Sequence, residues 1–259
     1  MLLTLDIGNT EITVGLFQGP SLAATWRLTT NPDRTPDEWG IALGGFLDQA
    51  GYSPNEVRSI CLASVAPGVT QNLQAGVERI TGRRGHQIDA RSPLPIALDV
   101  DEPLSVGADR IVNTLGALER YHTDTIVVDF GTATTFDCIT ADCRFIGGVI
   151  MPGLRTSADQ LVRRTAKLPA TELQAPERVI GRRTEECIRA GVLFGTADAV
   201  DGIVDRIRRE WPGGRTPKVV ATGGLAPLVA PLTRTIEEVD PELTLHGIRI
   251  AARHIGLTW

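Results

Sequence analysis

No stretch of the chain stays apolar for the roughly 18 residues that a membrane helix requires, so no transmembrane span is expected. The apolar N-terminus, Met1-Leu2-Leu3-Thr4-Leu5, has no basic residue before it and meets Asp6 at once, the pattern of a strand rather than a signal peptide. Positive charge is not in excess. The 26 Lys and Arg are outnumbered by 31 Asp and Glu, a net charge of −5, which leaves no broad basic field for nucleic acid. The one basic cluster, Arg206, Arg208 and Arg209, stands among Asp205 and Glu210 and reads as a solvated helix face. Cysteine is sparse: Cys61, Cys138, Cys143 and Cys187 offer only a lone C-x4-C, so reduced thiols of a cytoplasmic protein are expected rather than a zinc site or a disulfide. The four histidines are scattered, with no metal-ligand spacing. Also missing are the P-loop G-x-x-x-x-G-K-[ST], a G-x-G-x-x-G after a strand, the H-R-D and D-F-G segments of protein kinases, and the G-x-S-x-G nucleophile elbow.

What remains is ordinary globular composition, 42% hydrophobic and 22% charged over 259 residues, and a pattern that runs twice. Residues 2–6, 11–17 and 22–28 read as strands with Gly8-Asn9 and Gly19-Pro20 at the turns. Pro36-Asp37-Glu38 opens a helix to about residue 50. A strand at 59–63, a helix over 68–80 ended by Gly82, a loop over 91–103 and a helix from Gly107 to Tyr121 follow. The pattern then restarts. Strands are predicted at 125–129, 134–140 and 144–150, a helix at 153–166, and a loop at 168–182. A long helix runs from Thr184 towards Trp211, with a break expected near Gly195 or Gly202. A strand at 218–221 and a helix at 245–255 close the chain. This order predicts an α/β protein of two domains, 1–115 and 116–259, each a mixed sheet flanked by helices.

The repeat also carries chemistry. Asp6-Ile7-Gly8-Asn9-Thr10 and Asp129-Phe130-Gly131-Thr132-Ala133 each end an apolar run and begin a second strand. Glycine lets the backbone approach a phosphate closely, and Asn9, Thr10, Thr132 and Thr134 can donate to its oxygens. Asp6 and Asp129 would repel phosphate, so their sensible task is to hold cations that bridge it. A third glycine turn, Thr222-Gly223-Gly224, also follows an apolar strand. One such turn alone is an ordinary hairpin; two aligned copies and a third glycine turn point to a nucleotide triphosphate. Gly107-Ala108-Asp109-Arg110 opens a helix after a long loop. Asp109 can accept a hydroxyl proton, Arg110 can bind an anionic acceptor, and the amides of Gly107 and Ala108 can add anion contacts.

These segments, with Gly147-Gly148-Val149-Ile150-Met151-Pro152-Gly153, resemble in order the motifs of the type III pantothenate kinases, members of the acetate kinase, sugar kinase, Hsp70 and actin superfamily. The resemblance implies two ribonuclease-H-like, actin-like ATPase domains with an ATP cleft between them, and ATP-dependent phosphorylation of pantothenate as the first step of coenzyme A synthesis. It makes Asp109 the proton acceptor and residues 107–110 a pantothenate-binding segment, with Thr184 a further pantothenate contact. Asp6, Ile7, Gly8, Asn9, Thr10, Glu11, Ile12 and Thr13 match the ATP phosphate segment, with Asp6 near Mg²⁺. Thr132 matches an ATP contact, and Asp129 the site of a monovalent cation, K⁺ or NH₄⁺. It also implies a cytoplasmic homodimer. Glu11 and Val100 depart from the family pattern, the first where a neutral or basic residue is common, the second where many members have Tyr. The residues alone leave open a kinase of another small hydroxy acid or a non-catalytic ATP-binding regulator.

Overall fold

The strands expected from the first apolar runs form as β1 (Leu2–Ile7), β2 (Glu11–Gln18) and β3 (Ser21–Thr29) in a computed structural model that describes all of residues 1–259. They are followed by α1 (Pro36–Gln49), β4 (Ser59–Ser64), α2 (Pro67–Thr81), β5 (Gly85–Ile88), β6 (Ala97–Leu98) and α3 (Ala108–Tyr121). β1 pairs antiparallel with β2 and β2 with β3, while β1–β4 and β4–β5 are parallel, giving the order β3-β2-β1-β4-β5. Alternation divides the strands between two faces. Leu3, Leu5 and Ile7 of β1 join Ile12, Val14 and Leu16 of β2 in the core with α1 and α2, where Trp39 is fully buried. Leu2 and Phe17 face the other way, into the core with α3. The start of α1, marked in the sequence by Pro36-Asp37-Glu38, also carries a capping box: Glu38 N–H donates to Thr35 Oγ1 at 3.3 Å and Thr35 N–H donates to Glu38 Oε2 at 2.7 Å.

The second half repeats the arrangement. β7 (Thr125–Phe130), β8 (Ala133–Thr140) and β9 (Arg144–Pro152) lead into α4 (Leu154–Arg164) and α5 (Thr184–Glu210), then β10 (Lys218–Thr222), α6 (Ala226–Val229) and β11 (Glu238–Val239). β9-β8-β7-β10-β11 has the same strand order as β3-β2-β1-β4-β5, with the same antiparallel and parallel pairs. Ile126, Val128 and Phe130 of β7 pack with Leu193, Val200 and Val204 of α5. The long helix has no break. Gly191, Gly195 and Gly202 lie on its exposed side with open space where a Cβ would stand, and the buried apolar stripe sustains it despite roughly 1 kcal/mol of lost propensity per glycine.

The domain division differs from the expected one at residue 115. One unit holds Met1–Arg120 together with Leu243–Trp259, and the other Tyr121–Glu242. The final helix, α7 (Leu243–His254), returns to the first unit because its Leu245, Ile248, Ala251 and Ala252 complete the core around α3. Glycines permit the approach: a Cβ on Gly247 would lie 1.9 Å from the Val112 carbonyl oxygen, and one on Gly116 2.7 Å from that of Leu243. Gly247→Ala should therefore cost about 3 kcal/mol, the upper end for overpacking. Gly44→Ala, in an α1 position with no neighbour in reach of a Cβ, should be neutral or stabilise by roughly 0.5–1 kcal/mol. Thermal denaturation separates them; a Gly247→Ala protein that melts like the parent would contradict this docking of α7.

Candidate active site

In the first unit the Asp6 turn closes on a hydrogen bond from Gly8 N–H to the Glu11 carbonyl at 3.0 Å, and a Cβ on Gly8 would meet that oxygen at 2.8 Å. Ile7 and Ile12 are fully buried in the core, so their side chains cannot meet a ligand, whereas Asn9 and Thr10 are exposed. Asp6 is half-buried at the end of β1, on the strand's Leu2 face and opposite Thr13 in register. Glu11 shares that face. Its carboxylate is drawn sideways to Arg27 at 3.2 Å, which offsets its charge, so the departure from the family pattern carries its own counter-ion.

The Gly107–Arg110 segment reaches the same corner. Val65 N–H donates to the Ile7 carbonyl at 3.0 Å, and a Cβ on Gly107 would lie 3.5 Å from the Val65 side chain. The Asp6 turn and the start of α3 thus meet at the carboxyl ends of the parallel strands β1 and β4, where α/β sheets bind ligands. That Gly107 Cβ would also lie 2.5 Å from Asp109 Oδ1, so only a bare backbone admits the carboxylate there. Oδ1 accepts the Arg110 N–H at 2.8 Å. Burial pushes the Asp109 carboxyl above the ordinary aspartate range, against the pull of that hydrogen bond and of the Arg110 charge. A carboxylate so placed binds a proton more readily than a solvated one, which suits a general base. Ala108 is buried and offers backbone alone.

The second unit builds an equivalent corner. Asp129 is half-buried at the end of β7, beside Thr222 of β10 and Thr135 of β8 in register. Gly131 N–H donates to the Ala133 carbonyl at 3.1 Å, and Thr132 is exposed at the tip. Gly223 stands at φ +89°, and a Cβ there would lie 2.5 Å from Asp129 Oδ1 and 2.8 Å from the Phe130 backbone. Asp129, Thr132, Gly223 and Gly224 therefore come together at the carboxyl ends of β7 and β10. Thr184 is not part of that cluster. It is exposed at the start of α5, on a cavity of about 670 Å³ lined also by Met151, Ser157, Leu161, Ile188 and Gly191. All four cysteines are free: Cys61 is buried, which pushes it up to about 12, and Cys187 lines the same cavity as Thr184. Sequence reasoning missed Arg27 and its pairing with Glu11, a cross-strand contact with no local signal.

A twice-repeated mixed sheet with a carboxylate and a glycine turn at the end of its first strand defines an actin-like ATPase fold. A solved structure of that fold, a provisionally named 2-dehydro-3-deoxygalactonokinase from Sinorhizobium meliloti, matches with a TM-score of 0.59 at 14% identity over 100% of both chains. The family model of the type III pantothenate kinases matches residues 2–206, and the chain belongs to that family. The type III pantothenate kinase of Thermomicrobium roseum is 44% identical over 251 residues, 97% of this chain and 96% of the relative. That of Syntrophotalea carbinolica is 43% identical over 250 residues, 96% and 97% of the two chains.

The burial of Asp109 has a consequence for stability. A folded-state pKa raised above the unfolded value favours the fold while the carboxyl is protonated, and that contribution is lost as pH rises through the folded value. Asp109→Asn removes the desolvated charge. Its melting temperature relative to the parent should therefore rise from about pH 4 to about pH 7. A difference that is flat across that range would show that burial does not strain Asp109.

Proposed function

We propose that this chain transfers the γ-phosphoryl group of ATP to the terminal hydroxyl of pantothenate, giving 4'-phosphopantothenate. The observation that carries the reading is Asp109, a half-buried carboxylate of raised proton affinity beside the Asp6 turn in a chain that belongs to the pantothenate kinases. Asp109 takes the proton from the acceptor hydroxyl as that oxygen attacks the γ-phosphorus. A new P–O bond forms, the bond to the β–γ bridging oxygen breaks, and ADP leaves. Arg110 holds the pantothenate carboxylate, with Thr184 and the 107–108 backbone as further acceptor contacts. The Asp6–Thr13 turn, Thr132 and the Gly223-Gly224 backbone hold ATP phosphates.

The residues fit cations as well. Asp6 and Asp129 are each a single hard carboxylate beside exposed turn atoms, and no group of three or more His, Cys, Asp or Glu exists to form an all-protein cage. That donor set suits ions whose shells are completed by phosphate and water. Asp6 would hold Mg²⁺ and Asp129 would hold K⁺ or NH₄⁺. Bound there, such ions offset phosphate charge. No helix is long and apolar enough to cross a membrane. The proposal includes a cytoplasmic homodimer, for which the exposed apolar side chains Ile150, Val179 and Ile180 supply candidate contact surface.

ADP release from ATP and Mg²⁺ should require pantothenate and rise when K⁺ or NH₄⁺ replaces Na⁺. Asp109→Asn should lower turnover by about 10²–10⁴-fold while ATP still binds, the usual cost of losing a general base. ATP binding with no pantothenate-dependent release in any salt would move the assignment to another hydroxy acid or to a nucleotide-binding regulator.

A further inference from the structure

Each phosphate turn is gripped from behind by a threonine. In the first unit Thr30, the residue after β3, donates its hydroxyl to the Gly8 carbonyl at 2.7 Å and its N–H to the Thr10 carbonyl at 3.0 Å. In the second, Thr156, in the first turn of the helix after β9, donates its hydroxyl to the Thr132 carbonyl at 2.7 Å. That carbonyl also accepts the Gly153 N–H at 3.1 Å. The two threonines come from different secondary structure, yet both follow the third strand of their sheet and both bind a carbonyl of the glycine turn.

The bonds fix which way the turn's peptides face. A trans peptide is planar, with C=O and N–H pointing in opposite directions. Anchoring the Gly8 carbonyl to Thr30 therefore turns the Asn9 N–H away from it, on the exposed side of the turn. Anchoring the Thr132 carbonyl does the same for the Ala133 N–H. Without the Thr30 hydroxyl the Gly8–Asn9 peptide can flip, presenting carbonyl oxygen to a phosphate and losing a donor, and without the Thr156 hydroxyl the Thr132–Ala133 peptide keeps one anchor, the Gly153 N–H, in place of two. Glycine makes that flip easy at Gly8, where no Cβ restrains the backbone.

We infer that Thr30 and Thr156 are positioning residues for the nucleotide: neither contacts it, and each holds one phosphate turn in the orientation that presents N–H groups. The inference rests on the reading of these turns as phosphate sites. Thr30→Val and Thr156→Val keep the side-chain shape and the backbone N–H but lose the hydroxyl donor. Each should weaken ATP binding, measured by calorimetry without acceptor, by about five- to tenfold, the scale of one lost hydrogen bond. Thr30→Ser and Thr156→Ser should restore it. The KM for pantothenate should not move, which a general loss of structure would not spare. Should a valine variant fail to fold, the alanine variant carries the same test. A parent protein that binds ATP equally with its valine variants overturns the positioning role and leaves the kinase reading intact, as does a loss that serine does not restore. A parent that binds no ATP overturns both.

Discussion

Two carboxylates held against bare backbone are the constraint on which the rest of the molecule depends. A Cβ on Gly107 would stand 2.5 Å from Asp109 Oδ1, and one on Gly223 would stand 2.5 Å from Asp129 Oδ1. In each case an acidic side chain folds into a space that only glycine leaves, at the carboxyl end of parallel strands. The placement has an electrostatic cost, visible in the raised proton affinity of Asp109. That cost makes chemical sense where the carboxylate must accept a proton during turnover. It would be hard to explain in a scaffold, where an apolar residue would serve better.

The duplicated sheet supplies the framework. The order β3-β2-β1-β4-β5 recurs as β9-β8-β7-β10-β11, so Asp6 and Asp129 close equivalent strands and Gly8 and Gly131 begin equivalent turns. The copies have since diverged. The first carries the Gly107–Arg110 segment and is completed by α7, while the second carries the long α5 and its apolar cavity.

Much of this was visible in the sequence because it is local. The strands, their turns and the start of α1 follow from alternation, glycine and the Pro36-Asp37-Glu38 segment, and the D-x-G repeat marked both turns. Contacts across long separations were not visible. The return of α7 depends on Gly247 meeting Val112, and nothing in either segment's pattern announces the other. Glu11 stood out only as a departure from the family pattern, and nothing near it in the sequence names its partner Arg27 across the strand pair. The continuity of α5 through three glycines was decided by its buried face rather than by propensity. Thr30 lies 22 residues from Gly8 and Thr156 24 from Thr132, so neither turn's own sequence names its anchor.

The central claim is that Asp109 is the group that takes the acceptor's proton. The pH dependence of kcat/KM for pantothenate, in the parent and in Asp109→Asn, tests it most directly. The parent should lose activity on the acid side with an apparent pKa above the ordinary aspartate range, because burial favours the protonated, inactive form. The residual activity of the variant should lack that acid limb. A variant that keeps the parent's acid limb would place the titrating base elsewhere and contradict the account.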